Sequence, residues 1–130
     1  MKKEDMYPEL SKLRIYKLAE NLSDEIWDIV DKWKYFEKDT LGNQLVRAVD
    51  SIGANIAEGY GRHHHREFLN FLYFARGSLY ETQHWLNRAM SRNLIDENRN
   101  KDINNKLLNL LRQLNSFIQD RKKRIDLEKK

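Results

Sequence analysis

Ser51-Ile52-Gly53-Ala54-Asn55-Ile56-Ala57-Glu58-Gly59-Tyr60-Gly61-Arg62 is the stretch whose periodicity decides the fold. Wound at about 100° per residue, it continues an apolar face that runs through Leu45, Val49, Ile52 and Ile56. Arg47, Ser51, Asn55, Glu58 and Arg62 fall on the opposite side, within roughly a quarter of the helix circumference. The spacing predicts an amphipathic helix. Gly59 and Gly61 are read as its stop, because glycine enters the left-handed conformation at little cost.

The same period extends in both directions. A first helix is predicted over about 11–34, with Ser11 as N-cap and Ile15, Leu18, Ala19, Leu22, Ile26, Ile29 and Trp33 on one face. The second runs over about 40–59 with Thr40 as its cap, the third over about 65–93 and the fourth over about 96–124. In the fourth, Ile103, Leu107, Leu110, Leu114 and Phe117 are spaced four, three, four and three apart. That is the period of near-parallel helix packing. Connections of roughly four to eight residues force neighbouring helices antiparallel. No segment alternates with period two, so strands are not expected. The predicted fold is all-α, an antiparallel up-down-up-down four-helix bundle forming a single domain over residues 1–130, with Asp126 to Lys130 fraying at its end.

Composition bounds the function. The chain has one proline, Pro8, and five glycines, which leaves long helices unbroken. It has no cysteine, which excludes disulfides and thiolate metal sites. Met1-Lys2-Lys3-Glu4-Asp5 is followed by no apolar run, so no signal peptide is expected. No stretch approaches a membrane span, and the expected location is cytoplasmic, with no membrane partner. Net charge is +4, unevenly spread: residues 1–40 carry 8 bases and 10 acids, whereas residues 93–130 carry 10 and 6. The densest basic cluster is Arg121-Lys122-Lys123-Arg124.

The third helix has more apolar surface than one core can cover. Phe68, Leu72, Ala75, Leu79, Leu86 and Met90 make its core stripe. Phe71, Phe74, Trp85 and Ala89 form a second apolar strip beside it, and Tyr73 and Tyr80 lie on the other flank. Only Asn70, Gly77, Glu81, His84 and Arg88 make a polar stripe. Either this is the most buried helix of the bundle, or part of it is covered by another copy. The second reading is preferred, because four helices cannot fully surround one of their own members. The candidate oligomer interface is therefore Phe71, Phe74 and Trp85, joined by Ser51, Asn55 and Glu58 of the polar stripe. Glu58 is expected to pair with Arg62 at i+4, leaving Arg47 for a partner.

Basic residues supply the candidate nucleic-acid contacts: Arg47, Arg62, Arg66, Arg121, Lys122, Lys123 and Arg124. A solvated helix face with internal ion pairs accounts for the same residues without a ligand. His63-His64-His65 lacks the i, i+3 or i, i+4 spacing of helical metal ligands, so no metal site is assigned. Flanked by Arg62 and Arg66, these histidines are read as a loop that could attract phosphate. Glu81-x-x-His84 has the spacing of a di-iron motif, but such a site needs it twice. There is no phosphate-binding loop and no nucleophile elbow. The chain is read as a non-enzyme without cofactors.

Gln44-Leu45-Val46-Arg47-Ala48, the Ser51-to-Arg62 stretch, Glu67-Phe68 and Ala75-Arg76-Gly77-Ser78-Leu79-Tyr80-Glu81 together resemble the four-helix-bundle family encoded in intervening sequences of bacterial 23S ribosomal RNA genes. The resemblance implies a bacterial cytoplasmic bundle assembled as a ring, typically a homopentamer. It also implies kinship with the accessory protein of diversity-generating retroelements, a basic bundle that binds RNA and a reverse transcriptase. This chain has Gly53 where many relatives carry proline, and its Phe36-to-Gly42 connection is shorter, features of a distinct subgroup. Two functions follow as expectations: a ring-forming assembly or adaptor protein, and alternatively a basic RNA-binding oligomer serving ribosomal RNA intervening sequences or a reverse transcriptase.

Overall fold

The computed structural model describes residues 9–129. The readings made at Met1–Asp5 and Pro8 lie outside the described residues. Four long helices carry the fold: α1 (Arg14–Asp31), α2 (Asn43–Gly61), α3 (His65–Ser91) and α4 (Glu97–Glu128). A 3-10 turn, Leu10–Lys12, precedes α1, and no strand occurs among the described residues. Each long helix packs on its neighbours in sequence, and α1 packs on α4, so the four close around one core.

The core is built from the stripes that the period identifies. Ile15, Ala19, Leu22 and Ile26 of α1 meet Leu45, Val49, Ile52 and Ile56 of α2. Leu72, Ala75, Leu79 and Leu86 of α3 and Ile103, Leu107, Leu110 and Leu114 of α4 complete it. Thr82, fully buried, fills the α3 stripe between Leu79 and Leu86, and its hydroxyl donates to Ser78 O at 2.8 Å. That bond satisfies the hydroxyl of the one polar residue that is wholly buried among the described residues. Across α1 and α4, Lys106 donates to Glu25, and this bond, reinforced by Asp102, holds its ammonium above the ordinary lysine value.

The helix ends differ from those expected, each for a local reason. Ser11 does not cap α1; it lies in the 3-10 turn, and extended Leu13 precedes the helix with its side chain tucked against the core. The first helix stops at Asp31, short of residue 34, and Trp33 then donates Nε1 to Leu94 O at 3.0 Å, tying the α1 exit to the α3–α4 turn. Thr40 is not a cap either. A helical turn at Tyr35–Glu37 and a π-helical stretch at Lys38–Gly42 lead unbroken into α2, and the Thr40 hydroxyl donates back to Phe36 O at 2.7 Å. The widened turn lays Gly42 against α1, where a Cβ would stand 2.6 Å from Val30 Cγ1. Asp96 does cap α4, accepting from Arg99 N at 2.7 Å. The expected fraying from Asp126 is not seen; α4 stays helical to Glu128.

α2 ends at Gly61, within the stretch expected to stop it, but not through a left-handed glycine, since no glycine among the described residues has positive φ. His63, with φ 56°, makes the left-handed turn instead. Asn93, with φ 59°, ends α3 in a Schellman motif, its N–H bonded to Met90 O and the Leu94 N–H to Ala89 O. Gly59 has a packing role. A Cβ there would lie 2.6 Å from Phe71 Cβ and 2.9 Å from Phe68 Cδ1, whereas at Gly61 nothing stands within 4 Å. Gly59→Ala is therefore expected to lower unfolding free energy by about 1–3 kcal/mol through overpacking, despite alanine's better helix propensity. Gly61→Ala should stay within about 1 kcal/mol of the parent. Urea unfolding of both variants checks this, and equal effects would contradict the packing role.

Candidate oligomer and nucleic-acid interfaces

The polar stripe of α2 is largely occupied by its own helix. Ser51 Oγ donates to Arg47 O at 2.7 Å, and Asn55 Nδ2 donates to Ser51 O at 2.8 Å. Arg62 donates to Glu58 Oε1 through both Nε (3.1 Å) and NH2 (2.7 Å), the expected i+4 pair. Arg47 is exposed and makes no ion pair among the described residues. What remains outward is acceptor capacity on Ser51 and Asn55 and one cation.

Next to this stripe α3 sets its aromatics. Phe71 packs on Gly59, the Arg62 guanidinium lies 5.3 Å above its ring, and Phe74 meets it edge-on at 5.6 Å. Glu58, Arg62, Phe71 and Phe74 thus gather on one face where α2 and α3 adjoin. Phe74 is 58% exposed, a large apolar area that no part of the described chain covers. The other members of the predicted strip turn inward. Ala89 is fully buried, and half-buried Trp85 packs on the core with its Nε1 buried and without a hydrogen-bond partner. The strip therefore drifts from the surface at Phe74 into the core at Ala89, as residues at mixed i+3 and i+4 spacing do on a helix of 3.6 residues per turn.

The basic run on α4 is split four ways, since successive residues are turned by about 100°. Arg121 points inward: its side chain is 18% exposed and lies 5.4 Å from the ring of Phe68 and 5.2 Å from that of Phe117. It also contacts His65 Nδ1 at 3.1 Å. Arg124 is held by Asp120 at 3.0 Å, and Lys123 is exposed. Lys122 shares a groove of about 390 Å³ between α3 and α4 with Arg66, Leu69, Asn70, Ile125 and the carboxylate of Asp126, and it stands 6.0 Å from the Tyr73 ring. Arg66 and Lys122 are the one pair of predicted nucleic-acid contacts brought together there.

His63, His64 and His65 take three different backbone conformations: left-handed, extended and helical. His65 adds a contact to Glu128 at 3.7 Å. No group of three or more metal-ligating side chains forms among the described residues. No helix among them is long and apolar enough to cross a membrane.

A second uncovered region does not follow from the helical period. Trp27 (57% exposed), Tyr35 (81%) and Phe36 (72%) stand near the π-helical stretch, and Trp27 and Tyr35 line a groove of about 260 Å³ with Val46. The available signal was that Trp27 falls off the apolar stripe of α1.

The model of the 23S rRNA-intervening sequence protein family matches residues 11–116. The chain belongs to this family. Its fold is shared with a crystal structure of a protein of unknown function from the S23 ribosomal protein family of Bacteroides thetaiotaomicron VPI-5482, with a TM-score of 0.72 and 24% identity. The match covers 80% of this chain and 97% of that one. No curated protein matches the chain.

The split of the basic run is testable. Arg121→Ala is expected to cost about 1–3 kcal/mol of stability, because it removes a largely desolvated cation that contacts two aromatic rings. Lys122→Ala and Lys123→Ala should each fall within about 0.5 kcal/mol of the parent. Thermal unfolding of the three variants ranks them, and three equal values would contradict the assignment.

Proposed function

We propose that this family member is a non-enzymatic, ring-forming four-helix bundle acting as an assembly or adaptor module, and that its ring is a homopentamer as in the family it resembles. The reading takes the bundle as up-down-up-down. Supporting that order, Tyr16 of α1 faces Gly53 of α2 while Val30 faces Gly42, and Phe68 of α3 meets Phe117 of α4 while Arg76 meets Asn115. In each pair of helices, advancing along one means retreating along the other. The family's link to ribosomal RNA genes supports a cytoplasmic setting.

The observation that carries the reading is Phe74. A ring exposed to this extent beside Phe71, which itself carries Arg62 over its face, is surface suited to a partner, and apolar aromatics at the centre of a polar rim are the usual anchors of protein interfaces. Phe74→Glu is expected to reduce the assembly to the 15.7 kDa protomer, with far-ultraviolet helix content unchanged. Sedimentation velocity on the variant and the parent decides it. An assembly of unchanged mass in the variant would remove this face from the interface.

A second reading, RNA binding by the oligomer, is favoured by the Arg66–Lys122 groove with Tyr73 at its side. Repetition around a ring would convert one weak basic groove into an avid surface. Affinity for single-stranded RNA should then fall steeply between about 50 and 200 mM salt. Replacing Arg66 and Lys122 by Gln should flatten the log–log slope by about 0.7 for each phosphate that is no longer neutralised. Affinity insensitive to salt would contradict it.

A further inference from the structure

Along the outer side of α1, Tyr16, Glu20, Asp24, Trp27 and Asp31 follow one another at i+3 or i+4 and share one face. Asn43, Val46, Asp50, Gly53 and Ala57 do the same on α2. These two rows edge one seam between the helices. It opens into a groove of about 260 Å³ at Trp27 and Val46 and another of about 320 Å³ at Tyr16 and Ala57. From Tyr16 to Asp31 the seam is roughly 22 Å long at the helical rise. The π-helical stretch at Lys38–Gly42 borders one end, and π-helical turns are frequent at functional sites.

The charge of the seam is one-sided. Glu20, Asp24, Asp31, Asp39 and Asp50 line it against a single cation, Lys38. Lys38 is taken up by Asp31 at 3.5 Å, and the other four carboxylates enter no ion pair among the described residues. Arg47, on the flank of the α2 row, pairs with none of them. Glu20 and Asp24 stand at i+4, a like-charge spacing that costs the helix stability and that a cation relieves. Beside these acids Trp27 and Tyr35 are largely exposed, with Val30 and Val46 lining the same groove. Toward the other end Gly53, Ala54 and Ala57 present almost no side chain, so a further backbone can approach closely there.

We infer that this seam receives an arginine-bearing amphipathic helix of a partner protein. A guanidinium stacks on an aromatic face and pairs with a carboxylate through the same planar group, which suits Trp27 and Tyr35 beside Asp31 and Asp39. A helix laid in a groove anchors at i, i+3, i+4 and i+7, and about fifteen residues span the seam. Phosphate is repelled by this face, so a nucleic acid is not its occupant. The contact rests on the adaptor half of the proposed function and supplies its partner. It does not need the ring, because Phe74 lies where α2 adjoins α3.

The probe is a fluorescein-labelled, alanine-based helix of about fifteen residues with arginine and leucine at i, i+3 and i+4 on one face, titrated with the full chain and followed by anisotropy. Saturable binding that weakens with salt is expected, although the chain's own net charge of +4 opposes it. The same helix with glutamate in place of arginine should not bind. Asp39→Asn with Asp50→Asn should weaken the affinity about tenfold, as should Trp27→Ala. Glu81→Gln with Glu97→Gln, an equal change of charge on α3 and α4, should leave it within about twofold. Equal losses from the two double variants overturn the contact, and so does a parent that prefers neither probe helix. A fall in native mass of the Trp27→Ala chain, at unchanged helix content, overturns it as well, because the seam is then filled by a second copy. The parent's mass keeps the two readings apart. An oligomer that ignores the arginine helix loses this contact alone, and a monomer that binds it loses the ring alone.

Discussion

The close packing of α2 on α3 governs what the rest of the molecule presents. Gly59 leaves room for Phe68 and Phe71 against the α2 backbone, and the two helices approach there more tightly than any larger residue would allow. Phe68 then turns inward beneath Arg121, and Phe71 is left at the margin with Arg62 over its ring. Phe74, one turn on, has no core to enter. The close contact that makes the core dense is therefore also what displays an aromatic pair beside the polar stripe.

Charge follows the same geometry. A run such as Arg121 to Arg124 looks like a single basic patch when written linearly, but a helix distributes it around its circumference. One arginine lies against a pair of phenylalanines that pack on each other, one is paired with Asp120, and two lysines remain, of which Lys122 lies beside Arg66 of α3. The pair of cations brought together is thus confined to a groove between helices that Asp126 also lines, a smaller basic surface than the count of cations implies. On another face, Glu20, Asp24 and Asp50 border the α1/α2 groove without ion-pair partners among the described residues, which leaves the molecule with unlike charges on different faces.

The core stripes were legible in the sequence because burial follows helical period, and Ile103, Leu107, Leu110 and Leu114 sit where that period puts them. The ends of helices were not. Whether Thr40 caps or continues a helix depends on Gly42 fitting against Val30, a long-range contact that no local pattern encodes. The same holds for Gly59: the end of α2 at Gly61 was legible, but Gly59 proved to be a packing residue and His63 made the left-handed turn. Of the candidate interface, the Glu58–Arg62 pair followed from i+4 spacing. The inward turn of Trp85 did not, because a residue between two faces is placed by its neighbours. Trp27, Tyr35 and Phe36 were missed for a related reason: they lie beside a bend that the helical period does not describe.

We propose that surface a four-helix array cannot cover within itself is covered by further copies. Multi-angle light scattering of the full chain across a range of concentrations, with the 260/280 nm absorbance ratio followed through the peak, tests it most directly. The account predicts one species at a fixed small multiple of 15.7 kDa with a protein-like ratio. A monodisperse 15.7 kDa protomer at every concentration would contradict it.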